Sequence, residues 1–592
     1  MPLPGIFDII EKNELKEFSA MNLIPYVKKI DVKDTMESFK SIKPFAGEID
    51  CRIKKQIDKL PSDSCGADLI INVGDADCEK YAISIEEDSI TIDASGLKGV
   101  FYAVQTLRQG FTHNEIPCLH IEDEPDFPYR GFYHDISRGK IPTVETIKKL
   151  IDEMAYYKLN SLQLYVEHVY EFKETKEVTD RTDSITPEEL KEIEAYCEEN
   201  FMEFIPSLST FGHMYEILEL EQYKHLRVAA DYEAGPNFWL ARMMHHTIEP
   251  ESEESIELVK SFIDQYYPNF KSKYFNICGD ETFDLSHSNE RENAGEQYLD
   301  FALKLIDHVT SKGKTTMMWA DILLKYPEVI SKLPDDVCLL NWSYVLDPSE
   351  ENIRKISELG KKQIVCPGIG TWNRFCEKVE KEINISKMAE YGYKHGAIGV
   401  LNTSWGDWGN VASIEMGMYG LVTGAVKAWA VNTELDSDYY AAVSEIVYGK
   451  SNAMDYIKRV SDMHALVKWD GFCTNYFEHR YGGNSHPDAI RVELKFDLSE
   501  EDIAFIQKEY KEITAELENE KWGKDEIREE LLLCVEALAV IAELSAKMSG
   551  FSVPHIVDTM TWLEKYKAKW LLKNKKSELH EIENVFTYLN TI

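Results

Sequence analysis

The chain has 592 residues, of which 44% are hydrophobic and 29% are charged, a composition that suits several packed domains and excludes a wholly disordered protein. Its 65 Lys and Arg residues against 104 Asp and Glu residues give a formal net charge of −39 at pH 7. That charge argues against a nucleic acid or an anionic membrane surface as a partner.

Cysteine usage and the apolar pattern bear on where the protein works. The 11 Cys residues are scattered and form no CxxC pair, which favours reduced, buried thiols over a zinc site. No apolar run approaches the ~18 residues of a membrane-spanning helix. Residues 1–8 contain neither the basic nor the apolar segment of a secretion signal, so we expect a cytoplasmic protein.

Residues 1–122 are predicted to form a small N-terminal α/β domain. The apolar run at 68–74 ends in a glycine, as a buried strand does. Residues 81–87 and 89–94 alternate apolar and polar side chains around a turn of three acids, which predicts a hairpin. The segment 99–108 has the apolar spacing of a helix.

Residues 123–430 are predicted to form a (β/α)₈ TIM barrel. A linker rich in proline and acids at 123–129 is followed by alternating strand-like and helix-like segments. The strand candidates lie at 131–137, 161–167, 201–208, 274–278, 315–321, 337–342, 363–366 and 399–403. Eight strands separated by helices match the pattern of this barrel.

Residues 431–592 show no strand pattern and are predicted to form a helical C-terminal domain. The segments 503–517, 524–548 and 557–572 have helical periodicity, with Glu and Lys on their outer faces. The predicted fold class is therefore α/β, a barrel between a small α/β domain and a helical domain.

Acidic, aromatic and imidazole side chains cluster along the predicted barrel strands. Catalytic groups in such barrels lie at the carboxyl ends of the strands. The candidates are Arg130, Glu167, His168, His213, Asp280, Glu281, Trp319, Trp342, Tyr344, Trp372, Trp405 and Asp407. Indole rings stack on the apolar faces of sugars, and charged groups bind their hydroxyls, so this set predicts a sugar site.

The adjacent acids Asp280 and Glu281 are the centre of the predicted chemistry. Neighbouring side chains on a regular strand point to opposite faces, so both acids can serve one site only where the strand ends and the chain turns. Gly279 and Thr282 on either side allow such a turn. Most enzymes that cleave glycosidic bonds use a pair of carboxyl groups.

Several short motifs recur in the order of a known family. They are Arg130-Gly131, Asp135-Ile-Ser-Arg138, Lys158-Leu-Asn160, Gly212-His213, Gly279-Asp280-Glu281, Trp319-Ala-Asp321 and Trp405-Gly-Asp407. In this order they resemble the β-N-acetylhexosaminidases of glycoside hydrolase family 20, over about residues 123–430. The N-terminal segment resembles the small domain before that barrel. The helical extension is similar to that of bacterial members acting on short N-acetylglucosamine oligosaccharides.

The resemblance implies a retaining exo-β-N-acetylhexosaminidase that removes terminal GlcNAc or GalNAc and uses no cofactor and no metal. In such enzymes the 2-acetamido oxygen of the substrate is the nucleophile. The resemblance makes Glu281 the general acid and Asp280 the acceptor of the acetamide N–H. Tyr344 is the candidate for holding the acetamide oxygen.

The remaining candidates are expected to bind the sugar. Arg130 and Asp407 should bind hydroxyls of the terminal residue, and the indoles of Trp319, Trp342, Trp372 and Trp405 should wall the pocket. Many family members carry two acids after the second strand, where this chain has Glu167 and His168. This pair is expected either to keep a contact with His213 or to reshape the pocket for another hexosamine.

Two alternatives remain open at this point. A catalytically silent sugar-binding barrel would use the same aromatics, although it has no need of the Asp280–Glu281 pair. A metal-dependent hydrolase would use His134, His168 and His213, whose spacings fit no compact ligand motif. The expected partner is a small oligosaccharide or glycoconjugate, and a homodimer is compatible with the sequence.

Overall fold

The computed structural model describes residues 23–33, 38–112, 115–228, 238–243, 246–287, 293–481 and 498–591. In these ranges no helix is both long and apolar enough to cross a membrane.

The N-terminal part is a sheet with helices packed on one side. Its strands are β1 (Lys29–Val32), β2 (Ser38–Phe39), β3 (Asp68–Val73), β4 (Tyr81–Ile85), β5 (Ser89–Ala94), β6 (Ile116–Pro117) and β7 (Leu119–Asp123), and its helices are α1 (Cys51–Ile57) and α2 (Leu97–Thr112). Five strands form one sheet in the order β1-β7-β4-β5-β3. The predicted hairpin is confirmed, since β4 and β5 pair antiparallel.

The strand predicted to be buried is instead an edge strand. β3 pairs only with β5, and Ile70 on it is 46% exposed. The apolar run identified the strand correctly, but an edge position leaves one side without a neighbour.

A closed barrel of eight parallel strands follows, which confirms the predicted fold class. The strands are β8 (Tyr129–Asp135), β9 (Ser161–Val166), β10 (Glu203–Leu208), β11 (Tyr274–Asn276), β12 (Thr315–Trp319), β13 (Cys338–Trp342), β14 (Lys362–Cys366) and β15 (Gly399–Ser404). The interior is filled by side chains such as Tyr133, Ile205 and Leu340, so the barrel is a packed core and not a pore.

Helices surround the barrel and join its strands. They are α3 (Val144–Tyr156), α4 (Lys176–Thr182), α5 (Pro187–Glu199), α6 (Tyr215–Leu218), α7 (Phe238–Arg242), α8 (Glu253–Tyr266), α9 (Phe283–His287), α10 (Ala294–Ser311), α11 (Asp321–Lys325), α12 (Pro327–Ile330), α13 (Glu351–Glu358), α14 (Lys381–Lys394) and α15 (Met418–Trp429). Local sequence sets their starts: Thr186 and Glu189 form a capping box at the start of α5, with Pro187 in the first turn.

The C-terminal part is helical, as predicted. Its helices are α16 (Ser437–Ile446), α17 (Ala453–Leu466), α18 (Trp469–Tyr481), α19 (Glu500–Glu518), α20 (Asp525–Met548), α21 (Thr559–Lys573) and α22 (Leu579–Leu589). They pack on the loops after the barrel strands: Trp469 Nε1 donates to the carbonyl of Trp408 at 2.7 Å, and Tyr566 Oη donates to that of Val411 at 3.0 Å. The domain limits drawn from the sequence stay a prediction.

Candidate active site

The chain turns sharply just after β11, where the two adjacent acids lie. The strand ends at Asn276, and Cys278, Gly279 and Glu281 all have positive φ, at 56°, 82° and 50°. A side chain at position 279 would meet Tyr298 Oη at 2.9 Å, and that hydroxyl donates to the Gly279 carbonyl at 2.7 Å. The left-handed backbone allows two consecutive carboxyl groups to face one side.

One imidazole nitrogen contacts both acids. His213 Nε2 lies 3.3 Å from Asp280 Oδ2 and 3.3 Å from Glu281 Oε2. Burial lowers the pKa of His213, but the charge of Asp280 and the close contacts with both acids outweigh burial and raise that pKa to about 10. His213 is therefore a cation at neutral pH, and its charge attracts the side chains of Asp280 and Glu281 to the same side of the turn.

The second histidine of this region is neutral and supports the first. The backbone N–H of His213 donates to His246 Nδ1 at 2.5 Å. Burial, followed by the charge of His213, lowers the pKa of His246 to about 4. Because His213 itself has a φ of 57°, this hydrogen bond secures a backbone conformation that few side chains adopt.

The two acids differ in their exposure to solvent. The side chain of Asp280 is 10% exposed and that of Glu281 is 26% exposed. The Oδ1 atom of Asp280 is buried, and no group of the described residues donates a hydrogen bond to it. Such an acceptor is costly to leave unpaired, so the arrangement is suited to a ligand N–H.

A cavity opens in front of these acids and is lined mainly by aromatic rings. Its lining consists of Arg138, His213, Met243, Asp280, Glu281, Trp319, Trp342, Tyr344, Trp372, Trp405 and Asp407. The structure thus brings together nine of the twelve residues that the sequence indicated, and it adds Arg138 and Met243.

Tyr344 is the centre of the aromatic wall. Its ring stacks on Trp342 at a centroid distance of 4.9 Å and meets Trp372 edge-on at 5.2 Å. Trp405 Nε1 donates to Tyr344 Oη at 2.9 Å. Trp372 Nε1 donates to a carboxylate oxygen of Asp407. These contacts fix the rings in one arrangement before any ligand binds.

Arg138 is a second cationic side chain of the cavity, beside His213. Its guanidinium lies 3.2 Å from Asp135 Oδ2 and 3.1 Å from Glu167 Oε1. The side chain is 5% exposed and lies over the ring of Tyr165 at 4.8 Å. Two carboxylates and a ring face therefore hold a single guanidinium against the cavity.

Arg130, which was expected to bind sugar hydroxyls, lies at the opposite end of the barrel, so that prediction is wrong. It is the second residue of β8, about 16 Å of strand away from Asp135 at the active end. Its guanidinium donates to Glu79 Oε2 at 2.6 Å and to the Phe127 carbonyl at 2.9 Å. Arg130 is fully buried and joins the barrel to the N-terminal domain.

The chain carries a signal that could have separated the two arginines. Arg130 precedes the apolar part of its strand, whereas Arg138 follows the strand. Only a residue after the strand can lie at the carboxyl end, where barrel enzymes place their site.

Glu167 and His168 lie behind the cavity rather than on its wall. Burial opposes the charge of Glu167, but Arg138, His168 and His213 together outweigh burial and hold the pKa of this carboxyl well below its usual range. Glu167 also accepts a hydrogen bond from Tyr165 Oη at 2.9 Å and lies 3.7 Å from His213 Nδ1. Glu167 thus positions Arg138 and His213. This agrees with one of the two expectations for Glu167 and His168, namely that the pair keeps a contact with His213.

The structure does not bring His134, His168 and His213 together as the ligands of one metal ion. In the described residues no three or more His, Cys, Asp or Glu side chains stand close enough to hold a metal ion. His134 faces a separate small cavity beside Phe132 and Ile369.

Comparison with known proteins gives a consistent result. The model of the glycosyl hydrolase family 20 catalytic domain matches residues 127–392, and that of domain 2 of the same family matches residues 22–124. A beta-hexosaminidase of Emericella nidulans is 24% identical over 328 residues, which cover 48% of this chain and 52% of the relative. A beta-hexosaminidase of Porphyromonas gingivalis is 26% identical over 283 residues, which cover 41% of this chain and 36% of the relative. The chain thus spans about half or less of the length of these relatives.

Solved structures share the fold at lower identity. A Flavobacterium johnsoniae chitobiase has a TM-score of 0.59 at 17% identity, with 97% of this chain and 99% of that chain covered. A Vibrio harveyi exo beta-N-acetylglucosaminidase has a TM-score of 0.56 at 19% identity, with 72% and 76% covered. These structures support the fold, and the two family models, which account for both the N-terminal sheet and most of the barrel, establish that the chain belongs to glycosyl hydrolase family 20.

Proposed function

We propose that this protein is a retaining exo-β-N-acetylhexosaminidase that removes terminal GlcNAc or GalNAc from a small oligosaccharide or glycoconjugate. The observation that carries the proposal is the placement of His213 within 3.3 Å of both Asp280 and Glu281, beside an aromatic cavity. Paired acids facing an apolar, ring-lined cavity suit the cleavage of a glycosidic bond.

Asp280 supplies the contact to the acetamide group. Its buried Oδ1 accepts the acetamide N–H and stabilises the positive charge that develops there. Tyr344 donates its hydroxyl proton to the acetamide oxygen and aims that oxygen at the anomeric carbon. The nucleophile is then part of the bound substrate, so its attack is an intramolecular step.

Glu281 moves the proton. In the first step its carboxyl group protonates the leaving oxygen while the bond from that oxygen to the anomeric carbon breaks and the acetamide oxygen bonds to the same carbon. In the second step the Glu281 carboxylate takes a proton from water, which attacks the anomeric carbon and reopens the oxazolinium ring. Two displacements at one carbon give net retention. The greater exposure of Glu281 suits a group that must meet both leaving group and water.

The rest of the cavity recognises the sugar. Arg138 and Asp407 offer charged partners for ring hydroxyls, and Trp319, Trp342 and Trp405 offer apolar faces. A cavity ringed by indoles suits a single sugar ring, which supports removal of terminal residues.

A release assay tests the proposal. We would compare aryl β-GlcNAc, β-GalNAc, their 6-sulfated forms and the 2-hydroxy parent sugars, with Glu328→Gln, at an exposed position of α12, as a control that leaves activity unchanged. Release from N-acetylated substrates alone supports substrate assistance. Equal cleavage of the parent sugars contradicts it, and calorimetric binding without release would instead establish a silent binding protein.

Two expectations from the sequence remain predictions. Cell fractionation tests the cytoplasmic location, and light scattering from a size-exclusion column tests the homodimer.

A further inference from the structure

The segment between the last two helices lies along an active-site loop. Residues 573–578, here called the C-terminal strap, run beside residues 139–143, which follow Arg138 in the chain. The hydrogen bonds between them are Thr143 N to Lys573 O at 2.9 Å, Lys575 N to Ile141 O at 2.8 Å, Ile141 N to Ser577 Oγ at 3.2 Å and Glu578 N to Gly139 O at 3.1 Å. The loop that follows Arg138 is therefore held in place by hydrogen bonds from the C-terminal helical domain.

The side chain of Glu578 holds a second active-site loop. Its two oxygens accept from Arg242, with Nη1 to Oε2 at 2.8 Å and Nη2 to Oε1 at 2.5 Å. Arg242 Nε donates to Glu216 Oε1 at 2.9 Å. All three side chains are buried. A bidentate pair of this kind fixes the orientation of the guanidinium as well as its position.

Arg242 stands next to a cavity residue. Met243 follows it directly in the chain and lines the cavity, while Glu216 lies on α6, three residues after His213. The strap thus contacts the loop after β8 through its backbone and the Ser577 hydroxyl, and it contacts the loop after β10 through Glu578. These loops supply Arg138 on one side of the cavity and Met243 with His213 on the other.

Both loops also approach the loop after β15. A side chain at Gly139, whose φ is +93°, would lie 3.3 Å from Glu578 Oε2 and 3.3 Å from the Cα of Gly409. Gly409 follows Asp407 of the cavity wall by two residues. Because the three loops meet in a space without room for a side chain, a shift of one displaces the others.

We propose that Glu578 is a positioning residue, through which the C-terminal helical part sets the distance between the Arg138 wall and the Met243 wall of the cavity. The kinetic part of this proposal rests on the proposed function. Loops are the mobile parts of a barrel, and a displacement of about 1 Å at a site can cost up to roughly a hundredfold in rate.

The test compares Glu578→Gln with Glu583→Gln. Both residues lie at or on α22, but Glu583 forms a surface pair with Lys567 and makes no contact with the barrel loops in the described residues. Glutamine keeps the size of Glu578 and one acceptor, and Arg242 keeps its bond to Glu216. We expect the Glu578→Gln variant to remain folded while residues 139–143 and 238–243 exchange amide hydrogens about tenfold faster, with the control unchanged.

Kinetics provide the second readout. Arg138 and Met243 contact the sugar in the ground state and the transition state alike, so Glu578→Gln should raise KM about tenfold and change kcat much less. Arg242→Lys, which keeps the charge but loses the bidentate geometry, should reproduce both effects and covers the case in which Glu578→Gln fails to fold.

Two results would overturn the proposal. One is unchanged exchange in both loops of the variants. The other is a lower Tm with wild-type KM and kcat well below the melting temperature, which describes a stabilising role only. If the wild-type protein releases no N-acetylhexosamine at all, the proposed function fails, but the exchange measurement still decides the role of Glu578.

Discussion

The backbone N–H of Glu281 donates to Asp321 Oδ2 at 3.1 Å, so a third acid holds the residue assigned as the general acid. Burial, followed by the charges of Asp280 and Glu281, raises the pKa of Asp321 to about 7. Asp321 thus carries a proton over much of the acidic range, and its bond to Glu281 secures a backbone with a φ of 50°.

The raised pKa of Asp321 makes stability depend on pH. The folded state binds its proton more tightly than the unfolded chain, so the stabilisation is complete below the ordinary value of 3.8 and is lost as pH rises towards about 7. Asp321→Asn cannot ionise. We therefore expect its Tm, relative to that of the wild type, to rise between pH 4 and pH 8. A constant difference in Tm across that range would contradict the raised pKa.

Replacing Asp321 by alanine removes the acceptor for the Glu281 amide. The left-handed backbone at Glu281 then loses its support, and we expect kcat to fall about tenfold on aryl β-GlcNAc. Asp321→Asn keeps an acceptor oxygen and should retain most of the activity at neutral pH. Equal losses in both variants would argue that the charge, and not the hydrogen bond, is what matters.

The two central acids should respond differently to the leaving group. Glu281→Gln removes the proton donor, so we expect a fall in kcat of roughly 10²–10⁴ with a poor leaving group and a smaller fall with an acidic phenol. Asp280→Asn weakens acetamide participation, and its loss should not depend on the leaving group. A plot of log kcat against phenol pKa for both variants distinguishes these roles, and parallel plots would contradict the assignment.

The two arginines offer a matched pair. Arg138→Ala should lower kcat/KM by roughly tenfold to a hundredfold, since it removes a charged partner of the substrate. Arg130→Ala should leave KM unchanged and reduce the free energy of unfolding by about 3 kcal/mol, because the partly buried Glu79 loses its counter-charge and the buried Phe127 carbonyl loses its donor. Steady-state kinetics and denaturant unfolding measure the two effects, and a higher KM in Arg130→Ala would restore the original prediction for that residue.

Tyr344 is expected to act through its hydroxyl group. Tyr344→Phe keeps the ring stacked on Trp342 but removes the acceptor for Trp405 Nε1 and the donor for the acetamide oxygen. We expect kcat to fall about tenfold or more with little change in KM. Tyr393→Phe, whose ring is 52% exposed, is the control. Full activity of Tyr344→Phe would assign the acetamide contact elsewhere.

The strands and the paired acids were predictable because they depend on local patterns. The apolar runs located all eight barrel strands within about three residues, since period and turn residues are properties of short segments. The turn at Asp280–Glu281 was predictable from Gly279 and Thr282 on either side of the two acids. The prediction that Arg130 binds the sugar was wrong because it depended on the Arg130-Gly131 motif. The position of Arg130 at the start of β8 places it far from the carboxyl end of the strand.

Local sequence patterns do not predict contacts between distant parts of the chain. Arg242 and Glu578 are separated by 336 positions, and neither stands in a recognisable motif. Met243 is the first of two adjacent methionines in a loop, where no periodicity marks it as part of a wall. Glu167 was indicated as a candidate, but only its pairing with Arg138 shows that it supports the site from behind.

The contact between Arg130 and Glu79 has a consequence for protein engineering. Each residue supplies the counter-charge that the other needs, and they belong to units that the family models treat as separate modules. A chimera that joins this barrel to the small domain of another relative must therefore transfer both residues together. A graft that carries Arg130 without Glu79 would leave a fully buried guanidinium without its counter-charge.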